Sequence, residues 1–382
     1  MKTINELIKE LKCKEVTCKK LGELCSIEKG EQLNKSLMAK DYKLPNFIYP
    51  VYNGGTNPSG YWDKFNVDKD TITISQGGCS AGYVNWIKEN FWAGAHCFFL
   101  RKCEINYRYL YFYLKFNQDK LYELQQGAGI PGLSKQDLYN LDIYFPSLPY
   151  QQQIVKILDD FTELEAELEA ELEARKKQYK FWLNYLLNPS SWENWDSTCL
   201  IQIKKIGEIA TTQRGRVIAK DLLKEFNNFN FPVYSSKTLN NGILGYLDSY
   251  DYDGTYITWT TDGEKAGEVF YHQNEKFNVT NVCGLIKLNS KEVNLKFLYY
   301  WLKVNLKNYV NRSNPIPKMM SNVLENVKVS IPPTIIQQKV VNILTPLDLL
   351  SQNSEDGIPA EIKLRKDQYH YYLKQLLCFN KQ

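Results

Sequence analysis

The chain has 382 residues, a formal charge of +4 from 47 Lys and Arg against 43 Asp and Glu, and 43% hydrophobic content. That length holds two or three domains with cores of their own, and the near-balanced charge neither demands nor rules out a nucleic-acid partner. No apolar run approaches the roughly 20 residues that a membrane helix needs, the stretch Met1 to Lys20 has no signal-peptide core, and none of the nine cysteines stands in CxxC spacing, which together predict a soluble, cytoplasmic protein with reduced thiols and no metal.

After the amphipathic, charged N-terminus, Val67 to Ser75 is expected as a strand ending in a Gly-bearing turn. An aromatic helix follows over Tyr107 to Gln126, then a Pro-bearing loop and a brief strand, Leu141 to Phe145. A long helix is predicted from Tyr150 to Leu187. Its apolar positions, among them Ile154, Ile157, Phe161, Leu164, Leu168, Leu172, Tyr179, Trp182 and Leu186, alternate steps of three and four. The step of four from Leu168 to Leu172 follows another step of four, from Leu164, so the coiled-coil stripe carries one stutter. Within it Glu-Leu-Glu-Ala repeats three times from Glu163 to Ala174. The pattern then starts again. A strand is expected over Thr255 to Thr261, an aromatic helix over Leu295 to Val310 and a short strand over Val327 to Ile331. A second long helix from Thr334 to Phe379 carries Ile336, Val340, Ile343, Leu347, Tyr369, Tyr372 and Leu376. Gly357 and Pro359 break or kink it within Ser351 to Pro359.

The recurrence is a tandem duplication. Lys19-Lys20-Leu21-Gly22-Glu23-Leu24 returns as Lys204-Lys205-Ile206-Gly207-Glu208-Ile209, and Lys29-Gly30 as Arg214-Gly215. Tyr49-Pro50-Val51-Tyr52 returns as Phe231-Pro232-Val233-Tyr234, and Ala81-Gly82 as Ala266-Gly267. Pro146 with Gln151-Gln152 answers Pro332 with Gln337-Gln338, and Arg175-Lys176 with Gln178-Tyr179 answers Arg365-Lys366 with Gln368-Tyr369. Order is kept throughout. The expected class is α+β: two similar mixed α/β recognition domains (1–149 and 189–333) separated by two long antiparallel coiled-coil helices (150–188 and 334–382), related by a pseudo-two-fold axis.

Catalytic signatures are missing from the sequence. Gly127 to Gly132 matches GxGxxG but follows a helix and contains Pro131, the wrong context for a dinucleotide. Asp262-Gly263-Glu264-Lys265 faces Gly77-Gly78-Cys79-Ser80 in the other repeat, which has no carboxylate, so a turn is expected there rather than a nuclease cluster. His96, His272 and His370 adjoin no GxSxG or HExxH motif. No catalytic residue, cofactor or metal is assigned.

On the Lys-Lys-Leu-Gly-Glu-Leu entry, the Tyr-Pro-Val-Tyr strand, the Gly77 to Gly82 turn, the Pro146 to Gln153 exit and the closing Gly357 to Tyr369 segment, the chain resembles the specificity subunits of type I restriction–modification systems. The resemblance runs through both repeats. It implies double-stranded DNA as ligand, with two recognition domains each reading half of a bipartite target; because Asn53-Gly54-Gly55 faces Ser235-Ser236-Lys237 in the other repeat, that target is expected to be asymmetric. It also implies helices that dock methyltransferase subunits, two of them, which in turn recruit restriction subunits. Residues 200–330 carry 17 Lys and Arg against 12 Asp and Glu, whereas Asp159 to Glu173 is acidic and repelled by phosphate. Lys29, Arg214, Arg216, Lys237 and Lys318 are candidates for phosphate contacts; Asn53, Gln76, Gln126, Asn281 and Asn314 are candidates for base edges. Phe161, Leu164, Leu168, Leu172, Tyr179, Leu347, Tyr369 and Leu376 mark the helix faces assigned to partners. The alternative is a non-catalytic coiled-coil scaffold whose paired domains bind protein or carbohydrate; sequence-selective, salt-dependent duplex binding separates the two.

Overall fold

The computed structural model describes residues 3–40, 46–127, 129, 131–195, 200–228, 230–236, 242–313, 315–352 and 356–378. The first repeat runs α1 (Ile4–Leu11), β1 (Thr17–Lys20), α2 (Leu21–Leu24), β2 (Ser26–Lys29), β3 (Tyr49–Tyr52), β4 (Gly60–Trp62), β5 (Thr71–Ser75), β6 (Val84–Ile87), β7 (Trp92–Ala93), β8 (Cys97–Arg101), α3 (Tyr107–Phe116), α4 (Gln118–Glu123), α5 (Lys135–Tyr139), β9 (Asp142–Phe145) and α6 (Leu148–Leu186). The second runs α7 (Pro189–Glu193), β10 (Gln202–Lys205), α8 (Ile206–Ile209), β11 (Ala210–Arg214), β12 (Phe231–Tyr234), β13 (Ile243–Leu247), β14 (Tyr252–Thr260), β15 (Val269–Val279), β16 (Cys283–Leu288), α9 (Leu295–Asn305), α10 (Ser321–Glu325), β17 (Lys328–Ile331), α11 (Thr334–Gln352) and α12 (Ile358–Leu377). The class is α+β, with the same succession of elements twice. The expected single helix Tyr107 to Gln126 is two, because buried Asn117 turns its Nδ2 back onto the Tyr113 carbonyl and closes α3.

The repeated motifs have local physical causes. In Lys-Lys-Leu-Gly-Glu-Leu the glutamate caps its own short helix: Glu23 accepts from the Lys20 amide and Glu208 from the Lys205 amide, both at 3.0 Å. The apolar pair is buried, Leu21 and Leu24 in one repeat and Ile206 and Ile209 in the other. Glycine stands between them because a Cβ on Gly22 would lie inside the Tyr139 ring. Lys19 and Lys204 pair with Glu104 and Glu292.

Sheet order is likewise duplicated. In the first repeat β1 pairs with β9, β2-β8-β5-β6 form one antiparallel sheet, and β4-β3-β7 form another in which β3 and β7 are parallel. In the second, β10 pairs with β17 and the two larger sheets merge into β11-β16-β14-β15-β12-β13. The merger comes from β15, an 11-residue strand that does the work of β6 and β7 together: Val269 to Phe277 lie along β14, and Asn278 and Val279 at its end run parallel to β12.

Two compact units result, residues 1–169 with 362–382, and residues 170–361. The core of the first gathers Leu7, Ile8, Ile72, Ile74, Tyr109 and Leu110 with Ile154 and Leu158 of α6 and Leu373, Leu376 and Leu377 of α12. The core of the second gathers Ile257, Trp259, Phe297 and Leu298 with Leu183 and Leu186 of α6 and Ile336, Val340 and Leu344 of α11. In the first unit α6 and α12 run antiparallel: Phe161 lies against Tyr369 and Tyr372, and further along α6 Lys366 bridges Glu165 and Glu169 at 3.1 and 2.9 Å. The second long helix is two helices, ending at Gln352 and resuming at Ile358.

Candidate nucleic-acid interface

Both units build the same loop cluster from backbone hydrogen bonds, with different side chains set into it. In the first unit the segment between β7 and β8 is the hub. Gly30 N donates to Cys97 O at 2.9 Å, Gly94 N to Tyr52 O at 2.8 Å and Gln76 N to His96 O at 2.8 Å. In the second, Gly215 N donates to Cys283 O, Thr280 N to Tyr234 O and Thr261 N to Val282 O. Gly30 and Gly215 are fixed by this geometry, because a Cβ on either would collide with the carbonyls of Ala93 or of Val279. The turn after the central strand keeps left-handed glycines at matching places, Gly78 and Gly82, then Gly263 and Gly267. A second loop closes over each turn. Gln126 and Gly132 exchange backbone bonds at 2.8 Å and Gly78 N donates to Pro131 O; Asn311 and Lys318 exchange bonds at 2.9 Å and Gly263 N donates to Pro317 O. The GxGxxG stretch is therefore a pinched loop, and Asp262 to Lys265 belongs to a turn.

Most of the predicted contact residues fall on these loops. In the first unit, Asn53, Gln76 and Gln126 are brought together around His96. Asn53 Oδ1 accepts the His96 amide at 3.0 Å, and Gln126 Nε2 donates to Asp137 at 3.0 Å, so both side chains already carry structural bonds. Lys29 is exposed at the end of β2, next to Gly30. In the second unit, Arg214 reaches Met320 Sδ, Arg216 forms an exposed ion pair with Asp251 at 2.8 Å, Asn281 is exposed between β15 and β16, and Lys318 lies exposed beside Asp262. Lys237 and Asn314 lie outside the described residues. His96 was judged in the sequence only against catalytic motifs. Alignment of Cys97 with Cys283 would have placed it one residue past the counterpart of Asn281. Beneath the hubs, burial pushes the Cys97 and Cys283 thiols up to about 12, with Thr73 and Thr258 opposing, so both cysteines pack as neutral apolar groups. Among the described residues no group of three His, Cys, Asp or Glu is placed to hold a metal.

The helix residues assigned to partners divide into two sets. Tyr179 and Leu376 are buried in their own unit's core, Phe161 packs on Tyr369, and Leu347 is partly buried. Leu164, Leu168 and Leu172 are half-buried. Fully outward on the same helices are Phe181, Leu364 and Tyr371, exposed by 61%, 68% and 59%, residues that the seam pattern does not mark.

Comparison with known proteins bears on both repeats. A family model described as "Type I restriction modification DNA specificity domain" matches residues 14–174 and again 200–364. A Mycoplasma pneumoniae protein assigned as a type I specificity subunit is 39% identical over 252 residues, covering 66% of this chain and 91% of the relative. The specificity subunit of the type I restriction enzyme MpnII, from the same organism, is 40% identical over 207 residues, 54% of this chain and 61% of that protein. The crystal structure of a type I restriction–modification S subunit from M. genitalium shares the fold at a TM-score of 0.76 and 24% identity, over 96% of this chain and 97% of that one. Among the described residues no helix is long and apolar enough to cross a membrane. With the specificity domain matched twice and most of its length accounted for, the chain belongs to the type I restriction–modification DNA specificity family.

Proposed function

We propose that this chain is the sequence-reading subunit of a type I restriction–modification complex, and that it recognises an asymmetric bipartite duplex target with one half-site per unit. The observation that carries the reading is the pair of loop clusters. Their backbone frames match bond for bond while the side chains differ, Gln76 against Thr261, Asn53 against Ser235 and Gly132 against Lys318. A kept scaffold with changed loops is what two different base readouts need, since phosphate contacts position a protein and base contacts specify. Exposed Lys29, Arg214 and Lys318 supply the former, and the amides at 76 and 281 the latter. The outward aromatic and apolar residues of the long helices, Phe181, Leu364 and Tyr371, are the docking points for methyltransferase subunits, through which restriction subunits join. Chemistry belongs to those partners, and this chain contributes recognition.

Exchange of residues 200–330 for those of a relative tests the reading. Modified sites mapped genome-wide are expected to change in one half-site and keep the other. A change in both halves, or in neither, overturns independent reading by the two units.

A further inference from the structure

One acceptor in the first loop cluster has no partner in the protein. Gln76 Oε1 is buried and accepts no hydrogen bond. Leaving such a group unpaired forfeits the hydrogen bonds it makes in water, so its place calls for a reason. Its backbone is pinned on both sides, the amide to His96 O and the carbonyl to Leu133 N, each at 2.8 Å. The side chain therefore starts from a fixed Cβ. It borders a hollow of about 370 Å³ shared with His96, Gln126, Gly77, Gly132 and Ser134. Much of that rim is bare backbone. A Cβ built on Gly77 or Gly132, the two glycines that line it, would meet no atom closer than 3.8 Å, so a flat ring has room to approach. The other two amides of the cluster are engaged, Asn53 with the His96 amide and Gln126 with Asp137.

Resting on the DNA-recognition reading, we propose that Gln76 is the principal base-reading side chain of the first unit and that it selects an adenine in the first half-site. Adenine presents an acceptor, N7, beside a donor, the N6 amino group, on its major-groove edge, and a glutamine amide meets both at once. The terminal torsion of glutamine is broad, so the amide turns into the hollow at little cost. In doing so Oε1 exchanges an unsatisfied state for a bond to N6, and binding is favoured by the relief as well as by the contact. His96, exposed across the hollow, flanks the same base. In the second unit the corresponding residue is not an amide. Thr261 stands at the matching position, fully buried, with its hydroxyl donating to Asp262 at 2.9 Å. The glutamine contact thus belongs to the first unit alone.

The test is selection of bound duplexes from a random library by the full chain, purified from its host with the methyltransferase subunit that accompanies it. Wild type, Gln76→Ala and Gln76→Glu are compared. Wild type is expected to fix an adenine at the Gln76 position of the first half-site. Gln76→Ala is expected to lose about tenfold in preference at that position only, and Gln76→Glu to turn it toward cytosine, whose N4 amino group donates to a carboxylate. Neither variant removes a hydrogen bond of the protein, and equal thermal unfolding of the three chains confirms that they are folded. A selected motif that is identical in all three, that lacks the adenine, or that changes in both halves overturns the assignment of Gln76. Failure of wild type to select any motif overturns the DNA reading itself.

Discussion

Gln337 is fully buried, an unusual place for an amide, and every polar atom on it is used. Its Oε1 accepts the Asn294 amide at 2.7 Å, and its Nε2 donates to the Pro332 and Glu292 carbonyls at 2.8 and 2.9 Å. Gln151 repeats the arrangement, accepting from Asn106 N at 2.8 Å and donating to Pro146 O at 2.7 Å. Asn106 and Asn294 are in turn the N-caps of α3 and α9. One glutamine therefore ties the start of each long helix to the start of each aromatic helix, which is why the first glutamine of the Gln-Gln pair, Gln151 and Gln337, recurs in the sequence. Gln337→Leu keeps the volume and strands one donor and two carbonyls. At about 1–3 kcal/mol for a buried group left unpaired, a loss of about 3 kcal/mol is expected, read from urea unfolding followed by the aromatic signal of the second unit. A loss under about 1 kcal/mol would mean that water replaces the amide and that the Gln residue is not the tie.

At the scale of elements, α6 is the longest piece of regular structure, and its middle is the most repetitive. From Glu163 to Ala174 its leucines are only half-buried, and its ion pairs are surface ones, Arg175 with Glu171 and Lys176 with Glu173 along the helix and Lys366 of α12 with Glu165 and Glu169. Exposed pairs of this kind contribute about 0.3–0.5 kcal/mol each, so the stretch stands as a helix through propensity and its ends rather than through a core of its own. Such a segment tolerates a change of length that keeps phase. Four residues make a little over one turn at about 3.6 residues per turn, and remove about 6 Å at about 1.5 Å per residue. That is between one and two base pairs at about 3.4 Å each. Deletion of Glu171 to Ala174 is expected to leave a folded protein whose half-sites are unchanged and lie closer together, seen as a shortened gap in genome-wide maps of modified sites. Full activity with an unaltered gap would remove α6 as the spacer. Deletion of two residues swings every later apolar side chain off its face, and loss of folded protein is expected.

For the molecule as a whole, α12, the last described helix, packs into the first unit. Leu373, Leu376 and Leu377 of α12 lie in one core with Leu7, Ile8 and Ile154. Burying a leucine side chain stabilises by about 1.5–3 kcal/mol, so three of them approach the 5–15 kcal/mol by which a typical domain is stable. A chain ending at Glu361 is therefore expected to lose the first unit and keep the second. Hydrogen exchange measures it: amides of β5 should lose protection while those of β14 hold theirs. Unchanged protection in β5 would show that α12 is dispensable to that core.

Much of this was legible in the amino-acid sequence because duplication and periodicity are local signals. The two repeats, the long helix, the break near Gly357 and the family resemblance all follow from residue order, spacing and the rules that proline and glycine impose. So did the loops that carry the candidate interface, since Gly30 marks a close approach of two backbone segments and Gly78 and Gly82 mark left-handed conformations that few other residues accept. What only the tertiary structure decided depends on partners distant in the chain. Gln76 and Gln126 look alike as glutamines; that Asp137 engages one and nothing engages the other is a matter of three-dimensional placement. The fusion of β6 and β7 into β15, and the closing of the first core by the last helix, come from pairings that span up to the whole chain, for which a local pattern carries no signal. The same limit explains the helix faces. Spacing identifies a seam, but whether a seam residue such as Leu376 meets its own core or another protein depends on what the fold has already brought against it.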